Sequence, residues 1–317
     1  MLYFKTDIYD EFRCVMCGTC CRNDWLVTVD AGGYERNKAL FAAAGKAAEF
    51  EKVFILLKDG GPGEYAAIAK QPDGGCWFLG SDNHCRLHRE AGHGHLDPVC
   101  QLFPRYPVNT TRGVELTLSF SCPEVVRLVS RRAPLAVIRS EEPGAYIPPD
   151  SFVAGVYPEQ QPVDTPLRHY FELEHHFSDI LQQRCLPLAE RLDLLRATAL
   201  ALEGLKRDEE FRTELGRIIA ANYRLLDAKA GAENAAPAEA EILLEHFFVN
   251  LVFKKIFYLH GLAEGVRLLS AVWGAIAAAR EQAAEPAADL ERTRAAVMAA
   301  EFEYSHHRRS LLGEREK

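Results

Sequence analysis

The sequence predicts an α+β fold that is mainly α: a small, loop-rich cysteine-cluster domain with short strands, followed by an irregular helical bundle. Three observations carry this expectation. Eight of the nine cysteines fall before residue 123. Apolar residues recur at helical spacing over long stretches only beyond residue 167. Between these regions, residues 141–166 hold six prolines and little periodicity, the pattern of a linker or of an extended segment wrapping the domains. The expected organisation is thus a metal-binding cysteine domain over residues 1–140, a Pro-rich segment over 141–166 and a helical domain over 167–317.

Within the first region, residues 53–58 and 64–70 read as two strands around the turn D-G-G-P-G. Asp59, Gly61 and Gly63 also spell D-x-G-x-G, superficially a nucleotide loop. Such a loop opens a helix, whereas the segment after Gly63 is short and ends in a turn, so a hairpin is expected. Residues 114–121 form another strand, leading through Cys122, Pro123 and Glu124 into a short helix that reaches Ser130. Thr165 followed by Pro166 is a helix start, with Thr as N-cap and Pro at the first position. Leu167, Tyr170, Phe171, Phe177, Ile180 and Leu181 then recur at helical spacing. Pro187 and Asp208 open two more helices, G-A-E-N-A-A-P marks a break, and long patterns over 238–260, 262–284 and 287–312 complete a bundle of six helices. Cys185, four residues after Leu181, reads as core filling on that helix's apolar stripe.

Composition excludes some functions. A formal net charge of −8 argues against a generic nucleic-acid binder, because phosphate neutralisation needs clustered Lys and Arg. No uninterrupted apolar run reaches the ~18 residues of a membrane span; residues 247–279 come nearest and are broken by Lys254, Lys255, His260, Glu264 and Arg267. The N-terminal residues lack a basic segment followed by an apolar one, so no signal peptide is read and the expected location is the cytoplasm.

The cysteines carry the chemistry. Cys14, Cys17, Cys20 and Cys21 crowd into F-R-C-V-M-C-G-T-C-C-R, and Cys76, Cys85, Cys100 and Cys122 follow. A cytosolic thiol cluster reads as metal-binding or catalytic rather than disulfide-bonded. A C-x-x-C pair lets two thiolates reach one ion, at Zn–S of about 2.3 Å, and Gly18 permits the tight turn between Cys17 and Cys20. Three thiolates from one loop with a remote cysteine suit a Cys₄ zinc site or a [4Fe–4S] cluster, and spacing alone does not choose between the metals. Cys14, Cys17 and Cys20 are expected to share a centre. Cys21, Cys76, Cys85, Cys100 and Cys122 supply its remaining ligands or those of a second centre. Cys20 and Cys21 are adjacent, so their side chains are expected to diverge. His84, His88, His93 and His95 surround Cys85 in sequence, which leaves a mixed Cys/His zinc site open.

These motifs have a family resemblance. C-x2-C-G-x-C-C-R, then G-C-W-F-L, H-C-R-L-H and P-V-C-Q-L-F-P, resemble the successive elements of the bacterial CxxCxxCC cysteine-cluster family of zinc- or iron-chelating domains. W-L-V-T-V-D-A-G-G-Y at 25–34, C-Q-L-F-P-R-Y-P at 100–107, L-S-F-S-C-P-E-V-V-R-L at 118–128, H-F-F-V-N-L-V-F-K-K-I-F at 246–257 and F-E-Y-S-H-H near the end are similar to segments of flagellin lysine-N-methylases. The resemblance implies a cysteine-ligated cluster, S-adenosylmethionine as methyl donor and a flagellin lysine as acceptor. Asp30, Tyr34 and Glu124 lie in the family-like segments, but no catalytic base is singled out. Two other readings stay open: a non-enzymatic zinc- or iron-binding protein with a helical partner-binding module, and an iron–sulfur redox protein.

Overall fold

The structure, a computed structural model, describes residues 1–61, 63–145, 147, 151–205, 211–230, 236–282 and 289–306. The fold is α+β and mainly α. In chain order the first elements are β1 (Tyr3–Thr6), α1 (Thr19–Arg22), β2 (Thr28–Val29), α2 (Ala31–Ala43), α3 (Ala47–Val53), β3 (Phe54–Leu56), β4 (Ala66–Ile68), α4 (Arg86–Ala91) and α5 (Pro98–Leu102). Then come β5 (Arg105–Thr110), β6 (Gly113–Leu118), α6 (Pro123–Val129), β7 (Val137–Ser140) and β8 (Ala154–Val156). The helices that follow are α7 (Tyr170–Gln182), α8 (Leu188–Glu203), α9 (Phe211–Ala230), α10 (Glu239–Phe253), α11 (Ile256–His260), α12 (Leu262–Gln282) and α13 (Asp289–His306).

Two compact units result. One, the cysteine unit, is Arg13–Arg105 with Ala145–Ser151; the other combines Met1–Phe12, Tyr106–Gly144 and Phe152–Lys317. The break near residue 105 differs from the expected domain end at 140. The reason is long-range strand pairing. β1 runs parallel to β6, with Tyr3 opposite Val114 and Lys5 opposite Leu116, and antiparallel to β7. The resulting five-stranded sheet, ordered β7-β1-β6-β5-β8, joins the N-terminal residues to the helices. Part of the Pro-rich segment is itself structured: β8 pairs in parallel with β5, Val108 opposite Ala154.

In the cysteine unit, β3 and β4 form the expected antiparallel hairpin, Phe54 opposite Ile68, and β2 completes a sheet ordered β2-β4-β3. That pairing removes the nucleotide-loop reading, since no helix follows the turn. The unit has its own apolar core. Tyr34, Phe41, Phe50, Phe54 and Phe78 meet largely edge-to-face, for example Tyr34 on Phe50 at 4.9 Å, the arrangement that aligns ring edges with ring faces.

In the other unit, α7 buries Tyr170, Phe177, Ile180 and Leu181 of the residues whose spacing predicts it, together with Leu173; Phe171 is half-buried and Leu167 lies in the turn before the helix. Its first turn is a 3₁₀ turn over Pro166–His169, with Thr165 before it. Thr165 Oγ1 donates to the Pro162 carbonyl at 2.9 Å instead of capping the helix. α7 ends at Gln182, so Cys185 lies in the turn beyond it, half-buried, rather than on the helical stripe. Helix α10 is buried all round, as a central helix must be. Its polar residues find partners: Asn250 accepts from Thr117 Oγ1 at 2.5 Å and donates to the Leu118 carbonyl, and Glu245 holds Arg184 and Arg191. The expected single pattern over 238–260 breaks where Lys255 takes φ +73°. Its ammonium pairs with the buried Glu115 and Glu174, and the half-buried Arg112 pairs with both carboxylates, a group of two positive and two negative charges. Helix α12, among the described residues, is long and apolar enough to cross a membrane by length and composition; here it packs against α8, α11 and α13. Asp208, residues 231–235 of the expected break and residues 307–312 of the last helical pattern lie outside the described residues.

Candidate functional site

The cysteine unit collects seven of the eight candidate ligands: Cys14, Cys17, Cys20, Cys21, Cys76, Cys85 and Cys100. Cys122 is buried at the N-cap of α6, in the other unit. Cys14 and Cys17 are exposed on the irregular stretch before α1. The Met16 amide donates to Cys14 Sγ at 3.4 Å, and Cys17 Sγ donates to Thr19 Oγ1 at 3.4 Å. Gly18 takes φ +76°, a left-handed conformation open to glycine at no steric cost, and the chain turns there into α1.

Cys20 and Cys21 do not diverge. They share the helical turn of α1, and their sulfurs lie 4.0 Å apart. A helix rotates adjacent side chains by about 100° rather than the 180° of a strand, so neighbours on one turn can meet. Either sulfur can donate across this contact, and the Lys70 and Arg22 charges beside Cys21 favour Cys21 as the acceptor. In that arrangement Cys20 holds its proton far above the ordinary thiol range, with burial and the charges of Cys21, Cys100 and Cys14 adding. The acceptor, Cys21, falls to about 7, aided by Lys70 and Arg22 against its own burial.

Other loops bring the remaining thiols towards Cys21. The Cys76 amide donates to the Cys21 carbonyl at 2.7 Å, and Cys76 bridges Lys70. Burial pushes the Cys76 thiol up to about 11, with Cys21 and Cys85 adding repulsion. Cys85 caps α4, its sulfur accepting from the His88 amide at 3.5 Å, and is raised by burial and then by Cys21. Cys100 is exposed on α5. Loss of water around the sulfur raises its thiol above the ordinary value, with the charges of Cys76, Asp97, Cys21 and Cys85 adding. Five thiols from four chain segments therefore sense one another's charge. Among the described residues, no three Cys, His, Asp or Glu side chains converge closely enough to hold an ion as they stand. The donor chemistry is that of an all-thiolate site; the arrangement is an open one.

The histidines do not join this set. His84 is exposed and turned towards the Asp82 carbonyl at 2.7 Å, and the His88 and His93 rings meet at 5.5 Å. The residues of the family-like segments have structural partners. Asp30 caps α2 by accepting from the Gly33 amide at 2.6 Å, Tyr34 sits in the aromatic core, and Glu124 holds Arg127.

Sequence reasoning missed Asp97, Arg22 and Lys70. Asp97 is 1% exposed, and neither carboxylate oxygen is hydrogen-bonded to another residue. Burial raises it to about 7, with the Asp30 charge adding and Arg36 opposing. Asp97 followed by Pro98 is a readable helix start; its lack of a partner is a property of the fold alone.

Neither a family model nor a solved structure matches this chain. Part of the chain is similar to a flagellar biosynthetic protein, FliU, of Salmonella muenchen, with 29% identity over 111 residues. The match covers 34% of this chain and 64% of that protein, less than two thirds of the relative's length.

Proposed function

We propose that this chain is a cysteine-cluster metalloprotein of flagellar biosynthesis, a cytoplasmic lysine N-methyltransferase acting on flagellin with S-adenosylmethionine. The observation that carries the metal part is the mutual electrostatic coupling of Cys20, Cys21, Cys76, Cys85 and Cys100. Thiolates that repel one another need a cation to be held together, and a bound metal ion supplies the largest local positive charge. These five cysteines, with the exposed Cys14 and Cys17 before the motif's turn, would hold a [4Fe–4S] cluster or zinc. Bound there, the metal group supplies structural closure of the loops. The flagellar part rests on the similarity to FliU and on the methylase-like segments.

In the proposed reaction a lysine amine, having lost its proton, attacks the methyl carbon of the sulfonium. The C–N bond forms as the S–CH₃ bond breaks, and S-adenosylhomocysteine leaves. Desolvation of the amine lowers its pKa for this step.

The test is anaerobic purification followed by iron, zinc and sulfide analysis and a visible spectrum. Roughly four irons and four sulfides per chain are expected for a [4Fe–4S] centre. Because metal ligation couples to folding, Cys17→Ala and Cys20→Ala should lower both metal content and the solubility of the cysteine unit. Incubation with S-adenosylmethionine and flagellin should then add methyl groups to lysines by mass spectrometry. Unchanged metal stoichiometry and melting in both variants would sink the metal assignment; metal without methylation would leave the non-enzymatic reading.

A further inference from the structure

The thiols of the cysteine unit are accompanied by a second set of charged groups. Arg22 follows Cys21 in the chain, Arg86 follows Cys85, and Lys70 stands across an antiparallel bridge from Cys76. Each of these cations is anchored beside a different thiol-bearing segment. Lys70 Nζ donates to the Asn23 carbonyl at 2.8 Å, just beyond Cys21. Arg86 Nη2 donates to the Trp77 carbonyl at 2.7 Å, next to Cys76. Arg22 Nη2 donates to Asn83 Oδ1, just before Cys85. The backbone ties the same segments together: the Cys76 amide donates to the Cys21 carbonyl at 2.7 Å, and Leu79 bridges Cys85.

All three acceptors are neutral. Among the described residues, neither Arg22, Lys70 nor Arg86 pairs with a carboxylate, whereas Arg89 on the same helix as Arg86 holds Asp82 at 2.8 Å and Arg112 holds Glu115 and Glu174. Lys70 and Arg86 are half-buried. A cation drawn partly out of water onto a neutral acceptor keeps its charge uncompensated until an anion meets it. Thiolates are that anion. Four of them around a divalent ion leave a net charge of about −2, a charge that groups beyond the ligands must balance. We propose that Lys70, Arg22 and Arg86 are positioning residues that form a cationic collar around the thiolate metal centre, offsetting the net negative charge of its ligands. The inference deepens the metal part of the proposed function and rests on it. The charges act on the thiols accordingly: Lys70 favours the thiolate at both Cys21 and Cys76, Arg22 at Cys21 and Arg86 at Cys85.

The experiment uses the full chain with its metal, purified anaerobically and dialysed against increasing EDTA, with zinc and iron measured by elemental analysis. Partners beyond the ligands are typically worth roughly 10- to 100-fold in metal affinity. Lys70→Met should therefore lower the EDTA concentration that strips half the metal by about tenfold. The exposed Arg22→Gln should do the same, and the two together should give roughly 100-fold. Lys70→Arg keeps the charge and should hold metal as the wild type does. Where the metal is iron, each lost charge should also disfavour the reduced centre; a tenfold change in that equilibrium lowers the midpoint potential by about 59 mV for one electron. Metal retention in Lys70→Met equal to that of the wild type overturns the collar. So does a loss in Lys70→Arg as large as in Lys70→Met, which assigns Lys70 a packing role instead. If Lys70→Met does not fold, Arg22→Gln decides, with an unchanged far-ultraviolet helix signal as its control. A wild type that carries no metal removes the metal reading and the collar with it; a metal-bearing wild type matched by its variants removes the collar alone.

Discussion

The Cys20–Cys21 pair makes a quantitative prediction about reactivity. With the metal removed by a chelator, Cys21 should be the thiol alkylated first near neutral pH. Its value of about 7, against an ordinary 9.0, makes it about half thiolate at pH 7, where an unperturbed thiol is about 1% ionised. That is roughly a 50-fold advantage in thiolate. Intrinsic nucleophilicity falls with pKa, with a Brønsted slope near 0.4–0.5, and takes back about eightfold over two units, leaving a net advantage of about sixfold. The cause is the hydrogen bond with Cys20, sulfurs 4.0 Å apart, with Cys21 held as acceptor by the charges of Lys70 and Arg22. Cys20→Ala removes the donor and should slow iodoacetamide labelling of Cys21 about sixfold at pH 7. Cys20→Ser keeps an O–H donor at that position and should stay within about twofold. The assay is peptide mapping by mass spectrometry after timed labelling at a series of pH values. Alike behaviour of the Ala and Ser variants, or a midpoint of labelling against pH that does not rise in Cys20→Ala, would show that Cys20 does not set the ionisation of Cys21.

Three further perturbations follow from the fold. Lys255→Met leaves Glu115 and Glu174 buried with only Arg112 between them. It should cost about 3–5 kcal/mol in urea unfolding, and adding Glu174→Gln should restore at least half by rebalancing the charge. His176 is buried, accepts from Asn222 Nδ2 at 3.0 Å, and is held down to about 4 by burial. Its folded value lies below its unfolded one, so the stability it contributes is complete above pH 6.5 and is lost as pH falls towards 4, up to about 3 kcal/mol. His176→Gln should flatten the urea midpoint over that window. Gly18→Ala places a Cβ 2.7 Å from Arg22 Nη1 and 3.2 Å from the Asn83 carbonyl oxygen, at φ +76°. It should cost about 1–2 kcal/mol locally, read as lower metal content with an unchanged far-ultraviolet helix signal.

Much of the fold is legible in the sequence where the signal is local. The β3–β4 hairpin, β6, α6, α7, α8 and α12 all follow from periodicity and punctuation within a few residues. What escapes is set by distant partners. β1 has four residues, and what makes it a strand is its pairing with β6 more than a hundred residues away. The same pairing moves the division of the chain from 140 to the neighbourhood of 105. The helix over 238–260 reads as continuous because apolar residues flank Lys254 and Lys255. The break is stabilised by ion pairs to Glu301, Glu115 and Glu174, none of them local. At the site, the cysteines are legible as a set, and their ranking is not. Which thiol ionises first depends on a helical turn at α1, on Lys70 across a strand bridge and on burial against the unit's apolar core.

That ranking constrains how the proposed metal would enter. Of the coupled thiols, Cys21 alone is lowered; Cys20, Cys76, Cys85 and Cys100 are all raised. Thiolate is the ligating form, so at neutral pH a metal ion meets one ready ligand and several protonated ones. Each further bond must expel a proton, and each is helped by the charge of the ion already held at Cys21. Capture should therefore begin at Cys21, release protons in proportion to the thiols recruited, and recruit the buried Cys76 after the more accessible ligands. The adjacency of Cys20 and Cys21 then has a chemical use in the metal-free state. One cysteine keeps the proton that allows the other to give up its own.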